Sequence, residues 1–127
     1  MTRRLVITVC RRERGTVVLP IEAGGRARRL DADEIARRLE ELVARRGLAA
    51  HVRIRDACAG GCSFPGPNVT VTIYPPVRPN ERPDHVAVGW KTYVASLDAL
   101  DALARVIDEN LREHAPARTR RARSAPR

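Results

Sequence analysis

Short runs of apolar and β-branched residues predict four strands. Residues 5–9 are almost entirely apolar and end directly on Cys10, whereas residues 51–55 alternate polar and apolar side chains as a half-buried strand does. Residues 69–74 form a six-residue run of β-formers, and residues 85–89 resemble a fourth strand. Because a turn at residues 75–84 joins the last two runs, we expect these two strands to pair antiparallel.

Apolar residues recurring at helical spacing predict two helices. Asp31 is a good N-cap, Glu34 stands three residues later in the capping-box position, and Gly47 ends the first helix. The apolar stripe of this helix consists of Ile35, Leu39, Leu42 and Val43. Ser96 is expected to cap a closing helix. Its apolar stripe consists of Leu100, Leu103, Ile107 and Leu111.

The element order β-α-β-β-β-α predicts an α/β fold, with two main helices packed on a mixed four-stranded sheet. A strand, a helix and a strand in succession make the first two strands parallel with a right-handed crossover. The carboxyl ends of parallel strands lie at the same edge of a sheet. Since Cys10 and Cys58 each follow one of these strands, both thiols should emerge at one edge.

Two connections lack a sustained period. Residues 11–29 contain three glycines and a proline and are expected to form a long loop, with a brief extended segment at residues 17–19. Residues 75–84 contain four prolines and are expected to form a stiff turn.

The chain of 127 residues is expected to form one domain over residues 1–116, followed by a basic, disordered tail over residues 117–127. No apolar run approaches the roughly 20 residues that a membrane span requires. The apolar run at residues 5–9 is too short for a signal peptide. We therefore expect a cytoplasmic protein that does not interact with membranes.

The net charge of +9 invites a nucleic-acid interpretation. However, five arginines fall in the last ten residues, RTRRARSAPR. The aromatic side chains that could stack on bases are few: Phe64, Tyr74, Trp90 and Tyr93. Nucleic acid is therefore not expected as a partner, and the tail is interpreted as a solvated segment.

Three cysteines are the candidate metal ligands: Cys10, Cys58 and Cys62. Two of them flank Ala59-Gly60-Gly61, and a Cys-x3-Cys turn across glycines lets both sulfurs face one centre. The spacing leaves three hypotheses open: a [2Fe-2S] cluster with a fourth ligand, a mononuclear zinc ion, or a reversible dithiol without metal. The chain contains no catalytic triad motif, paired-carboxylate site or phosphate loop, so we do not expect an enzyme.

Three segments together resemble the thioredoxin-like [2Fe-2S] ferredoxins, also called Shethna-type: VCRRERG, CAGGCSFPGPNVTVTIYP and GWKTYV. The resemblance covers about residues 4–114. It implies a thioredoxin-like fold, a [2Fe-2S] cluster bound by Cys10, Cys58 and Cys62, and a homodimer. It also implies one-electron transfer to a redox partner protein.

The sequence departs from that family at the position of a further cluster cysteine. The resemblance places it near residues 20–23, where Glu22 is the only side chain with a donor atom. Other conceivable fourth ligands are Glu13, His51, Asp56 and Ser63. A partner protein or a small thiol could also fill the position. The alternative function is a cluster-free or zinc-binding carrier or regulatory module of the same fold.

Overall fold

The computed structural model describes residues 3–58, 66–76, 80, 82, 86–93 and 95–112. Within them the strands are β1 (Arg4–Val9), β2 (Thr16–Leu19), β3 (Arg28–Asp31), β4 (Val52–Asp56), β5 (Val69–Tyr74) and β6 (Gly89–Tyr93). The helices are α1 (Ala32–Arg45), a short 3₁₀ helix (Ala95–Ala99) and α2 (Ala104–Arg112). Residues 113–127, including the arginine-rich tail, lie outside the described part. No described helix has the length and apolar character needed to cross a membrane.

The main sheet has the strand order β4-β1-β5-β6. β1 and β4 run parallel, and the other two pairs are antiparallel. The α/β class, the mixed four-stranded sheet with two main helices and the thioredoxin-like arrangement expected from the sequence are confirmed. The parallel pairing follows from the crossover through α1, because a helix must carry the chain back to the starting end of the sheet.

The core fills one side of this sheet. Strands β1 and β5 bury every second residue, and the buried side chains share one apolar cluster with α1 and α2. The central members of that cluster are Leu5, Ile7, Val9, Val69, Val71, Leu39, Leu42 and Ile107. Full burial of one such side chain contributes roughly 1.5–3 kcal/mol. Intervening side chains on the opposite side, such as Val6 and Thr72, remain partly exposed.

The capping residues of α1 are those the sequence predicts. The Asp31 carboxylate accepts a hydrogen bond from the Glu34 amide at 2.8 Å, and Gly47 follows the helix with a φ of 67°. Glu34 pairs with Arg37 and Arg38 on the helix surface. The first helix is therefore stabilised at both ends by short-range interactions.

The brief extended segment predicted at residues 17–19 is confirmed as part of β2, whereas the prediction that residues 11–29 otherwise form a long loop was wrong because it missed β3. The structure has a second, two-stranded sheet there, in which β2 pairs antiparallel with β3. Val17, Leu19 and Leu30 from these strands are buried in the core. Strands of four residues, one of them carrying two arginines, are too short for their alternation to stand out in a sequence.

The chain after residue 85 also differs from the prediction. The fourth strand of the main sheet is Gly89–Tyr93 rather than residues 85–89, whose first member lies outside the described residues. Val86 and Val88 precede this strand and are exposed. An edge strand buries little on either side, so its apolar pattern is weak, and the valine-rich run was the more conspicuous signal.

The closing helix begins later than Ser96 predicts. A 3₁₀ helix occupies Ala95–Ala99, and α2 starts at Ala104. Leu103 and Ile107 are buried as expected, whereas Leu100 and Leu111 are only partly buried. Asn110 is fully buried instead. Its side-chain amide donates to the Tyr93 hydroxyl at 3.0 Å, and this hydrogen bond compensates for the burial of the amide.

A polar network joins α2 to the edge strand β6. The Glu109 carboxylate accepts hydrogen bonds from the Tyr93 hydroxyl and from the Lys91 ammonium group, the latter at 2.9 Å. Burial alone would raise the pKa of Glu109, but the bonds from Tyr93 and Lys91 outweigh it, so this pKa is lowered. The ionised form of Glu109 therefore stabilises the folded state.

The lowered pKa of Glu109 makes stability depend on pH. A group with a depressed folded-state pKa contributes stability above its unfolded pKa, about 4.3 for glutamate, and loses it as the pH falls further. Glu109→Gln should lower the free energy of unfolding by about 1 kcal/mol near neutral pH. The loss is modest because solvent screens this partly exposed site. The stability of the Glu109→Gln variant should also fall less than that of the wild type between pH 6 and 3.

Urea unfolding over that pH range measures both effects. Glu41→Gln provides the control, because Glu41 lies on the exposed surface of α1, and it should change stability by less than about 0.5 kcal/mol. Parallel pH profiles for the wild type and Glu109→Gln would contradict the assignment.

Candidate metal centre

The parallel pairing of β1 and β4 brings two of the three cysteines to one edge of the sheet. Val9 lies opposite Asp56 at the end of both strands. Cys10 follows Val9 directly, and Cys58 follows Asp56 by two residues. The predicted placement of these two cysteines at a common edge is therefore confirmed. Cys62 lies outside the described residues.

The two thiols have different surroundings. Cys10 is 8% exposed and lies against the core, whereas Cys58 is exposed. A centre held between them would be shielded on the Cys10 side and accessible on the Cys58 side. This asymmetry favours a group that is fixed by the protein yet reachable from a partner.

The loop formed by residues 10–15 follows β1 and is fixed to the end of β4. The Glu13 amide donates to the Cys10 carbonyl at 3.1 Å, which closes a tight turn. The Arg11 amide donates to Oδ1 of Asp56 at 3.2 Å. This second bond crosses between the strands immediately beside Cys10. The backbone positions of Cys10 and Cys58 are therefore coupled through Asp56.

The Arg11 side chain fixes the same loop to α1. Its guanidinium group bonds to Asp33 at 2.8 Å and to Glu40 at 2.9 Å. The hydrogen bond from Arg11 is the main cause of a lowered pKa at Asp33, and the bonds from Asp33 and Glu40 raise the pKa of Arg11. Because these groups are largely exposed, the pairs orient the loop more than they stabilise the fold.

A buried carboxylate connects this loop to the segment that leads out of the Cys62 region. Glu13 is only 7% exposed, and its carboxylate accepts hydrogen bonds from the Asn68 amide at 3.0 Å and from the Asn68 side chain. A buried charge is costly unless hydrogen bonds compensate it, so these donors hold Glu13 in place. Sequence reasoning considered Glu13 only as a possible ligand and missed this structural role.

Gly15 and Gly66 bring the same two segments into close contact. Gly15 has a φ of 102°, and a Cβ atom added there would lie 2.5 Å from the Gly66 carbonyl oxygen. Only a residue without a side chain permits this approach. The loop at residues 10–15 is thus packed against the described end of the segment that follows Cys62.

Glu22, the first candidate for a fourth ligand, does not lie near these thiols. Its carboxylate bonds to Arg45 at 3.0 Å and to Arg46 at 2.8 Å, at the carboxyl end of α1. The Arg11 side chain, next to Cys10 in sequence, contacts Asp33 and Glu40 within α1, whereas Glu22 contacts the arginines at the end of that helix. The Arg46 hydrogen bond is the main cause of the lowered pKa of Glu22. Both carboxylate oxygens of Glu22 are therefore engaged by arginines, which argues against Glu22 as the fourth ligand.

The other candidate ligands differ in their distance from the thiol edge of the sheet. The His51 carbonyl accepts from the Leu5 amide at 2.7 Å, which places His51 at the opposite end of the sheet from Cys10. Asp56 lies at the correct edge, with one carboxylate oxygen bonded to the Arg11 amide. Ser63 lies outside the described residues.

The described residues do not by themselves form a closed ligand set. Among them, no three His, Cys, Asp or Glu side chains converge closely enough to hold a metal ion. What they provide is two thiols at one edge and a braced backbone around them. Comparison with protein-family models, curated proteins and solved structures finds no match for this chain. The functional assignment therefore depends on the residues of the site.

The close contact between Gly15 and Gly66 can be tested with a pair of alanine variants. Gly24 also has a positive φ, 81°, but a Cβ atom added there would meet nothing within 4 Å. Gly24→Ala should cost only the backbone penalty, about 1–2 kcal/mol. Gly15→Ala should cost clearly more, because the opposing backbone oxygen cannot move without displacing the loop.

Urea unfolding of the two variants gives the comparison of stability. The reaction rate of Cys10 with a thiol reagent, measured in a Cys58→Ser/Cys62→Ser background, should also rise in Gly15→Ala and not in Gly24→Ala. Equal losses of stability and equal rates would show that the contact does not hold the loop in place.

Proposed function

We propose that this protein is a ferredoxin-like electron carrier. It binds a [2Fe-2S] cluster at the edge of the sheet through Cys10, Cys58 and Cys62, and it exchanges single electrons with a partner protein. The observation that carries the proposal is the parallel pairing of β1 and β4, which brings Cys10 and Cys58 to one edge. Thiolates are the ordinary ligands of such clusters, and the bound cluster supplies a one-electron redox centre.

The bracing around the thiols fits this proposal. The loop that follows Cys10 is fixed at two points, because Asp56 accepts from the Arg11 amide and Glu13 accepts from the Asn68 amide. A rigid backbone holds cysteine ligands in position, and partners beyond the direct ligands tune the properties of a metal centre. Neither carboxylate needs to bind the cluster to fulfil this role.

Charge around the edge also supports the proposal. Arg12 and Arg14 are exposed in the loop that follows Cys10. Nearby cations offset the negative charge of a thiolate-ligated cluster. They also give this edge a positive surface, to which an acidic redox partner would be attracted.

With Glu22 removed from the candidates, a donor from outside the three cysteines completes the ligand set. A small thiol, a partner protein or a second copy of the chain in a homodimer could provide it. A thiolate is the preferred donor, because carboxylate is a harder ligand than iron–sulfur clusters ordinarily use.

A zinc-binding carrier is the second candidate function, and the count of three cysteines favours it. Three protein ligands that leave a fourth position for water or an incoming ligand form a common zinc arrangement. This function would use the same edge of the sheet. It differs from the first in the metal that is bound and in the absence of redox activity.

Metal analysis of protein purified without oxygen tests the proposal. The wild type should contain two irons and two sulfides per cluster site and absorb visible light. Cys58→Ser should lose both properties, since serine is a poor ligand for these clusters. Glu22→Ala should keep them, because Glu22 bonds to Arg45 and Arg46 at the far end of α1.

Cys58 is a better position for this test than the buried Cys10, because Cys58 is exposed and its replacement should leave the fold intact. Circular dichroism checks that point. A Cys58→Ser protein that keeps its iron and its absorption would contradict the ligand assignment. Stoichiometric zinc without iron would establish the second candidate, and a wild type that binds neither metal after reconstitution would exclude both.

A further inference from the structure

The side of the main sheet away from α1 and α2 is not covered by any described residue. We call it the open face. The strand registers place Arg53, Val6, Thr72 and Trp90 side by side in one row across it. All four remain partly or fully exposed, and Trp90 is 76% exposed. An aromatic ring exposed to this extent is available for stacking against a ligand.

The charged side chains that the described strands place on the open face are all basic. Arg53 and Arg55 lie on β4 and Arg4 lies on β1, whereas none of the four strands places an acidic side chain on this face. A groove of about 570 Å³ runs along the β4 edge. Its lining includes Arg4, His51, Arg53, Arg55 and Tyr74 and no acidic residue. Both features favour an anionic ligand.

Two aromatic residues occupy diagonal positions on the same face. Thr72 pairs with Trp90, and Tyr74 follows two residues along β5, so Trp90 and Tyr74 are diagonal neighbours. Such neighbours are on the order of 7–8 Å apart. The Arg4 guanidinium group lies 5.4 Å from the centre of the Tyr74 ring and also donates to the Pro75 carbonyl. The ring and the guanidinium plane are thus held in a fixed arrangement.

We propose that the open face binds single-stranded nucleic acid, with a base stacked on Trp90 and phosphates bound by Arg53 and Arg55. Exposed bases stack on aromatic rings and on arginine planes, and four-stranded sheets bind two or three nucleotides in this way. Across four strands the face measures about 14 Å, which matches a short stretch of single strand.

Charge argues against a second copy of the chain as the occupant. Face-to-face pairing of two copies would bring together two faces whose described charged side chains are all basic, and like charges oppose association. The proposal also revises the expectation that nucleic acid is not a partner. That expectation depended on the small number of aromatic residues, and a count does not reveal that two of them share one basic face.

Trp90 is the only tryptophan in the chain, so its fluorescence reports on the open face directly. An eight-nucleotide single-stranded DNA or RNA of mixed sequence should quench this fluorescence in a saturable manner when titrated into the full-length protein. Trp90→Ala should weaken binding of the same labelled oligonucleotide, followed by anisotropy, by about tenfold.

A matched pair of double variants separates the open face from the overall charge. Arg53→Ala/Arg55→Ala should weaken binding by about tenfold and flatten the slope of log K against log salt by about 1.4, at about 0.7 per phosphate contact. Arg26→Ala/Arg28→Ala removes the same charge from the exposed surface near the small sheet and should weaken binding by less than about twofold. Circular dichroism confirms that each variant is folded.

Three outcomes would overturn the proposal. Equal weakening in both double variants, with no change in Trp90 fluorescence, would show binding through overall charge or the arginine-rich tail. Quenching by vesicles containing anionic lipid but not by oligonucleotides would identify a membrane surface as the ligand. Concentration-dependent dimerisation that Trp90→Ala abolishes, without oligonucleotide binding, would identify a second copy as the occupant.

Discussion

The pairing of β1 with β4 is the contact on which the proposed site depends. α1 lies between these two strands in sequence. It returns the chain to the starting end of the sheet, and this return lets the two strands lie side by side. That return also makes them parallel, so the residues that follow both strands meet at one edge. An antiparallel pair would leave Cys10 and Cys58 at opposite ends of the sheet. The requirement for a crossover helix therefore links core packing to the position of the thiols.

The loop after β1 converts this topology into a local structure. Arg11 and Glu13 connect the loop to three other parts of the chain through Asp56, α1 and Asn68. Glu13 is the most constrained of these groups, because its charge is buried and depends on donors more than 50 residues away in sequence. An apolar residue at that position would leave the Asn68 amide without this acceptor. The polar character of Glu13 thus serves the geometry of the edge.

The elements that the sequence predicted well are those with dense local signals. α1 has a cap, an apolar stripe and a terminal glycine, and β5 is a continuous run of β-formers. β6 and the β2–β3 pair carry weak signals, because edge and very short strands bury few side chains. The thiol edge followed from topology alone. The position of Glu22 could not be predicted, because its pairing with Arg45 and Arg46 is a long-range contact that no local pattern encodes.

The distribution of charge matters more than the net charge of +9. On the surface of α1, arginines such as Arg37, Arg38 and Arg46 lie next to carboxylates and are neutralised locally. On the open face, no described acidic side chain pairs with Arg53 or Arg55. Two surfaces with similar arginine content therefore differ in the field that they present to a partner. Composition averages over this difference. The thiols follow Val9 and Asp56, whereas the row on the open face runs through Arg53, Val6, Thr72 and Trp90, so the two proposed sites use different side chains.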